Sequence, residues 1–300
     1  MSVRGKRSVS GTVADIVIIL ITGIFTLLCL YPFWYIFIFT ISDPNQVYRG
    51  VFLLPQGFSL FNIQSVLQLE GIGRALLMSV ARAAAGTTLT VLSCSFLAYL
   101  FTKEAMPLRS FFYRAVIVTM YVSGGLIPTF LVLRAYGLLN TFWIYILPGA
   151  IGAFNVILVK TFIESLPESL EESATIDGAG YLRVFWHIIL PLSKPILATI
   201  AVFAAVGHWN SFFDVHIYVR NDNLWTLQYL LWRYLNETQR IADMVMRGDV
   251  AAAQAALGMT LTPRGVRMTV TLIATIPIFL VYPFAQRYFV KGIMIGAIKG

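Results

Sequence analysis

Apolar residues run along this chain in six long blocks, 13–41, 75–101, 111–133, 142–163, 195–218 and 268–289, with charge returning between them. The hydrocarbon core of a bilayer is about 30 Å thick and takes about 20 residues of helix to cross. Each block reaches that length, so the pattern predicts an all-α polytopic membrane protein with six transmembrane helices. The first block follows Arg4, Lys6 and Arg7, as the core of a secretory signal would. Its apolar run far exceeds the roughly 7–15 residues of a signal core, and no small-residue cleavage site closes it, so it reads as a retained helix.

Composition agrees with the pattern. The chain is 58% hydrophobic and 12% charged, with a mean hydropathy of +0.77, too apolar for a domain whose whole surface faces water. The net charge of +8 reads as topology, because short loops rich in Lys and Arg stay in the cytoplasm. All six lysines (Lys6, Lys103, Lys160, Lys194, Lys291 and Lys299) fall on one side if the N-terminus is inside, and six spans return the C-terminus to that side. The expected organisation is a cytoplasmic N-terminus 1–12, a six-span domain 13–290 with a cytoplasmic loop 164–194 and an extracytoplasmic loop 219–267, and a cytoplasmic tail 291–300. No basic, aromatic-interleaved soluble domain exists to hold a nucleic acid. Cys29 and Cys94 both lie inside apolar blocks and read as packing residues.

Polar and backbone-breaking residues inside the blocks carry more information, because such positions are tolerated in hydrocarbon only when buried in protein or facing a watery path. Gly124, Gly125 and Pro128 punctuate the third block, Pro148 and Gly149 the fourth, and Pro277 and Pro283 the sixth, as breaks or as helix kinks made for packing. The fifth carries the densest polar cluster, His208, Trp209, Asn210, Ser211 and Asp214, followed by His216. Two readings stand: polar packing against another helix, or the lining of a path on which a sugar ring stacks against aromatics while its hydroxyls find polar partners. His208, Trp209, Asn210 and Asp214, with Asn155 of the fourth block, are the candidates for that path. A metal site does not fit, since His208 and His216 are two turns apart and no tight ligand pair accompanies them.

In the loop 219–267, Trp225, Gln228, Trp232 and Leu235 recur near helical spacing and predict an amphipathic segment at the membrane face or against a partner. Residues 236–258 after it read either as a surface insertion or as a probe of a partner. The loop holds six arginines (Arg220, Arg233, Arg240, Arg247, Arg264, Arg267) against four acids (Asp222, Glu237, Asp243, Asp249), a surplus of two that suits an anionic ligand without selecting one.

The loop 164–194 is polar where its neighbours are apolar. Ser165 and Glu168 have the spacing of a capping box, Pro167 suits an early helical position, and Glu168, Glu171 and Glu172 place negative charge near the positive end of a helix dipole. Leu166, Leu170 and Ala174 are four apart and predict one apolar face. Asp177 and Gly178 predict a turn in which Gly178 takes the left-handed conformation. A second amphipathic run, 181–190, leads to Pro191, giving a helix-turn-helix below the membrane.

Glu172-Ser173-Ala174, then Gly178, then Ile188-Ile189-Leu190-Pro191 have the spacing of the EAA loop of ABC importer permeases. Ser173 stands where the family has the middle alanine of that motif. From the third block to the end, including Gly207 to Ser211 and the tail from Phe289 to Gly300, the chain resembles the MalG-like second permeases of carbohydrate importers, and among them the LplC-like type. The resemblance implies a type I importer: this chain in the cell inner membrane among lipid, with a second homologous permease, two copies of an ABC ATPase, an extracytoplasmic solute-binding protein and an oligosaccharide substrate. It implies that Glu171, Glu172, Ser173, Ala174, Asp177, Gly178, Ile188, Leu190 and Pro191 form the ATPase-coupling element, and that the outer loop reaches the binding protein. LplC-like branches are associated with oligosaccharides of complex polysaccharides, so an acidic substrate such as alginate oligosaccharide is expected.

No G-x-x-x-x-G-K-[ST] phosphate loop occurs, so ATP and Mg are expected on the partner ATPase, with no cofactor on this chain. The alternative is an ion-coupled secondary sugar carrier, for which Asp214 is nearly the only membrane carboxylate. An intramembrane enzyme would need a nucleophile partner that His208 and Asp214 lack.

Overall fold

A computed structural model describes residues 9–47, 53–246 and 263–296. The ends of the chain, including Lys6 and Lys299, and most of the outer-loop segment 236–258 lie outside the described residues. The described residues are helical and form no strand; one isolated bridge pairs Ser42 with Phe58. The chain divides into two compact units, Met1–Leu69 with Tyr234–Ile273, and Glu70–Arg233 with Ala274–Gly300.

In the first unit, α1 (Val9–Thr40) is an apolar helix whose Ile18, Leu20, Leu27 and Leu28 are all exposed. Side chains that no water-facing surface would present in such number belong against lipid or another membrane subunit. At its C-terminal end Ile38 and Phe39 are buried with Tyr35, Val47 and Met268 packed against them. The Asn62 amide of α2 (Phe61–Gln68) donates to the carbonyls of Thr40 and Ser42, both at 3.2 Å, satisfying carbonyls that the end of α1 leaves free.

The second unit is built on α3 (Ile72–Thr102). Small and polar residues on α3, among them Ser79, Gly86, Thr90, Cys94 and Ala98, are buried, and small side chains let neighbouring membrane helices approach closely. Those neighbours are α6 (Ala153–Ile163) and α10 (Lys194–Asn210). The core they enclose holds Cys94, Ala98, Tyr99 and Phe101 of α3, Val156, Val159 and Ile163 of α6, and Leu197 and Ile200 of α10. Cys94 Sγ lies against the carbonyls of Ala150 and Gly152, the packing role expected of it.

The third and fourth apolar blocks are broken where glycine and proline predict. The third becomes α4 (Arg109–Val118) and α5 (Leu126–Ala135), with Gly125 between them at φ +84°, a conformation that favours glycine. The fourth is a short 3₁₀ turn, Phe142–Tyr145, then a loop through Pro148 and Gly149, then α6. In the sixth, helix continues from Pro263 to Gly296 with Pro277 and Pro283 inside it. By length and composition, two described helices suffice to cross a membrane, Asp15–Thr40 and Ile72–Thr102, and a third if the bent pair Tyr181–Leu192 and Lys194–Asn210 counts as one span. The third and fourth blocks are shorter or broken pieces.

Between α6 and α10 the chain forms α7 (Ser169–Ile176), α8 (Tyr181–Val184), a π turn (Phe185–Ile189) and α9 (Leu190–Leu192). Past the break in the fifth block come α11 (Phe213–Tyr218) and then α12 (Leu227–Met246); the last helix, Pro263–Gly296, is α13.

Candidate functional site

The loop after α6 folds as the helix-turn-helix expected, with different fastenings. Ser165 does not cap α7; its hydroxyl donates back to the Phe162 carbonyl at 2.6 Å, and the residue before the helix, Glu168, already has helical dihedrals. The capping box therefore does not form. At the other end, Gly178 sits at φ +80°, the Ala179 amide donates to the Ala174 carbonyl at 2.9 Å and the Gly178 amide to the Thr175 carbonyl at 3.0 Å. These two bonds are the Schellman arrangement, in which a left-handed residue satisfies the last carbonyls of a helix. Nothing lies within 4 Å of the position a Cβ would take on Gly178, so conformation alone requires glycine there.

The predicted apolar face is only partly made. Leu166, Ala174 and Ala179 pack against the core around Tyr99 and Phe185, while Leu170 is exposed. Of the coupling candidates, Glu172, Ser173, Asp177, Gly178 and Pro191 are exposed, Ala174, Ile188 and Leu190 are half-buried, and Glu171 is turned to Lys103 at the end of α3. Sequence reasoning missed the rest of this surface: Ile176 is 86% exposed, and Tyr181, Leu182 and Trp186 are exposed with it. Four large apolar side chains next to a free carboxylate form a surface suited to burial against another protein.

The π turn explains how this loop meets the next helix. Pro191 has no amide hydrogen and its ring crowds the carbonyl four residues earlier. The widened turn ends with the Leu190 amide bonded to the Phe185 carbonyl, and the axis then bends by 81° between Tyr181–Leu192 and Lys194–Asn210.

The polar cluster of the fifth block has a partner that sequence reasoning overlooked. Arg82 of α3, 3% exposed, reaches the Asp214 carboxylate with both terminal guanidinium nitrogens, and its Nη1 also donates to the Ser211 carbonyl at 3.3 Å. Asp214 Oδ1 accepts from Ser211 Oγ and from the Val215 amide, both at 3.0 Å, so the same carboxylate satisfies an N–H in the first turn of α11, just past the break in the fifth block. The guanidinium lies over the Tyr145 ring, 4.6 Å from its centroid, and the Tyr145 hydroxyl donates to the Leu224 carbonyl at 2.6 Å. A lone arginine in an apolar block was the signal available for this.

Of the other path candidates, His208 packs its imidazole against Gly86, one turn along α3 from Arg82; a Cβ on Gly86 would stand 2.5 Å from His208 Nε2. Trp209 is buried, its indole N–H donating to the Ala274 carbonyl at 2.9 Å. Asn210 is exposed, and Asn155 is half-buried in the first turn of α6 with its amide folded over Gly152. His216 does not join a metal cluster among the described residues. Its ring lies 4.3 Å from that of Trp232, which stacks on Phe212 and Tyr229. Trp225 precedes α12 and meets Tyr229 edge-on beneath the Arg233 guanidinium, and the predicted amphipathic helix begins at Leu227, with Leu227 and Leu230 buried in its first turns.

Residues 94–295 match the family of binding-protein-dependent transport system inner membrane components, and the chain belongs to that family. It is 37% identical to protein LplC of Bacillus subtilis over 97% of this chain and 96% of that one. It is 38% identical to the polygalacturonan/rhamnogalacturonan transport system permease protein YtcP of the same organism, over 92% and 94% of the two chains. Its fold matches a chain from the crystal structure of a bacterial ABC transporter involved in the import of the acidic polysaccharide alginate, with a TM-score of 0.82, 32% identity, and 95% and 99% of the two chains covered. The protein is thus a multi-pass inner-membrane permease of a sugar ABC transporter, a class that works with an ATPase, a binding protein and a second permease.

Proposed function

We propose that this chain forms half of the translocation path of an ATP-driven importer of acidic oligosaccharides, with six spans, both termini in the cytoplasm, and two copies of a partner ATPase that hold ATP and Mg. The observation that carries the coupling role is the loop 164–194: a short helix with an exposed Glu172 and Ile176, closed at Gly178 and anchored to the membrane core by Ala174, Ala179 and Phe185. A rigidly held helix projecting apolar and acidic side chains can make different contacts with an ATPase pair in its open and closed states, which is what coupling requires.

The acidic substrate class is supported by two relatives, one named for polygalacturonan and rhamnogalacturonan and one from a transporter of alginate. The carrier alternative loses support from Asp214, since both of its carboxylate oxygens are already engaged, by the Arg82 guanidinium, the Ser211 hydroxyl and the Val215 amide. The test is uptake into vesicles holding both permeases and the ATPase, with the binding protein outside and ATP inside. Uptake of alginate or galacturonate oligosaccharides in preference to neutral ones is expected; equal or greater uptake of neutral oligosaccharides contradicts the acidic assignment.

A further inference from the structure

Adjacent residues of a helix point about 100° apart, and Glu171 and Glu172 use that separation to face different neighbours. Glu172 is exposed, whereas Glu171 is 23% exposed and accepts a charge-assisted hydrogen bond from Lys103 Nζ. Lys103 caps the C-terminus of α3, 17% exposed, and its ammonium lies 4.4 Å from the centroid of the Tyr99 ring one turn earlier. Tyr99 is fully buried and packs on Phe185 of the π turn, with ring centroids 5.5 Å apart. A lysine on an open surface is a mobile point charge; here it is held between a carboxylate and an aromatic face, which fixes its direction. Leu166 before α7, Ala174 on it and Ala179 after it add apolar packing, which is non-directional.

We propose that the Lys103–Glu171 ion pair is a strut that fastens the EAA helix to α3, so that displacement of the loop is delivered along that helix. This rests on the docking role given to the loop above. The same helix carries Arg82, 21 residues and so about 30 Å away along its axis, bonded to the break in the fifth block. One rod therefore connects the loop that faces the ATPase with the ion pair at the broken span. Glu172 grips outward and Glu171 braces inward; Lys103 and Glu171 are positioning residues, not docking residues.

The test uses the whole complex in vesicles and reads two quantities: ATPase retained on purification, and sugar transported per ATP hydrolysed. Glu171→Gln and Lys103→Met are expected to keep the ATPase while transport per ATP falls about three- to tenfold, the span that removal of a coupling contact commonly produces. Lys103→Arg, which keeps both the charge and the ring contact, is expected to hold the ratio near wild type. The double variant is expected to be no worse than either single, since both remove one interaction. An unchanged ratio in the single variants, additive losses in the double, or loss of the ATPase from Glu171→Gln overturns the strut, the last because it would put Glu171 on the docking surface. A wild-type complex without ATP-driven uptake overturns the loop reading and the strut with it, whereas normal wild-type uptake with unaffected variants overturns the strut alone.

Discussion

The guanidinium of Arg82 meets the carboxylate of Asp214 through both of its terminal nitrogens, tying α3 to the first turn of α11. A buried ion pair is costly to break from one side because the remaining charge is stranded. The two sides are not equal here. Asp214 without Arg82 still has the Ser211 hydroxyl, the Val215 amide and some water, its side chain being 22% exposed. Arg82 without Asp214 has one carbonyl and a ring face, and its buried Nε already lacks a hydrogen-bond partner among the described residues. Asp214→Ala should therefore destabilise by about 3 kcal/mol or more, and Arg82→Ala by less. Thermal inactivation of the detergent-solubilised complex checks the order; equal losses, or the reverse order, would count against this account.

A second expectation concerns Gly86. A Cβ there would lie 2.5–2.7 Å from three ring atoms of His208, so Gly86→Ala must displace the imidazole. Overpacking of this kind costs about 1–3 kcal/mol. Shortening the ring, as in Gly86→Ala with His208→Ser, should recover most of the loss. A double-mutant cycle on thermal stability measures the coupling, and strict additivity of the two changes would show that the ring does not occupy that space.

Gly178 separates conformation from space. Its φ of +80° disfavours a side chain although the surroundings are open. Gly178→Asn should be tolerated, because asparagine visits the left-handed region more readily than other side chains. Gly178→Val should cost more than about 1–2 kcal/mol in the local turn and redirect α8, since a β-branched residue is a genuine outlier there. Co-purification of the ATPase reads the difference; Asn and Val variants that behave alike would contradict the left-handed turn.

The carrier alternative has its own test. The permease alone, reconstituted under a proton gradient without ATPase, should take up no sugar. Robust uptake by the lone chain would favour ion coupling.

Apolar blocks, the breaks at Gly125 and at Pro148-Gly149, and the left-handed turn at Gly178 were legible in the sequence because each follows from a local rule of length or backbone conformation. Pro277 and Pro283 stay inside one helix, since neighbouring groups in a membrane helix can absorb a proline without a break. The capping box failed because Ser165 found the Phe162 carbonyl first. Arg82, Lys103 and Tyr145 were missed for a different reason: their roles depend on partners 132, 68 and 79 residues away. No spacing pattern carries such pairings. The exposed Ile176 was likewise hidden, because an isoleucine between Thr175 and Asp177 reads as ordinary helix until its exposure is seen.

The central claim is that the loop 164–194 transmits ATPase movement, and the most direct measurement is ATPase co-purification with sugar-stimulated ATP turnover in Glu172→Ala and Ile176→Asp. Both side chains are exposed and lie outside the helices that reach a membrane's length, so both variants should insert and pair with the second permease as wild type does. Glu172→Ala should weaken ATPase docking about tenfold, and Ile176→Asp more, since a charge is driven into an apolar contact. Variants that retain the ATPase and couple ATP turnover to sugar normally would contradict the claim.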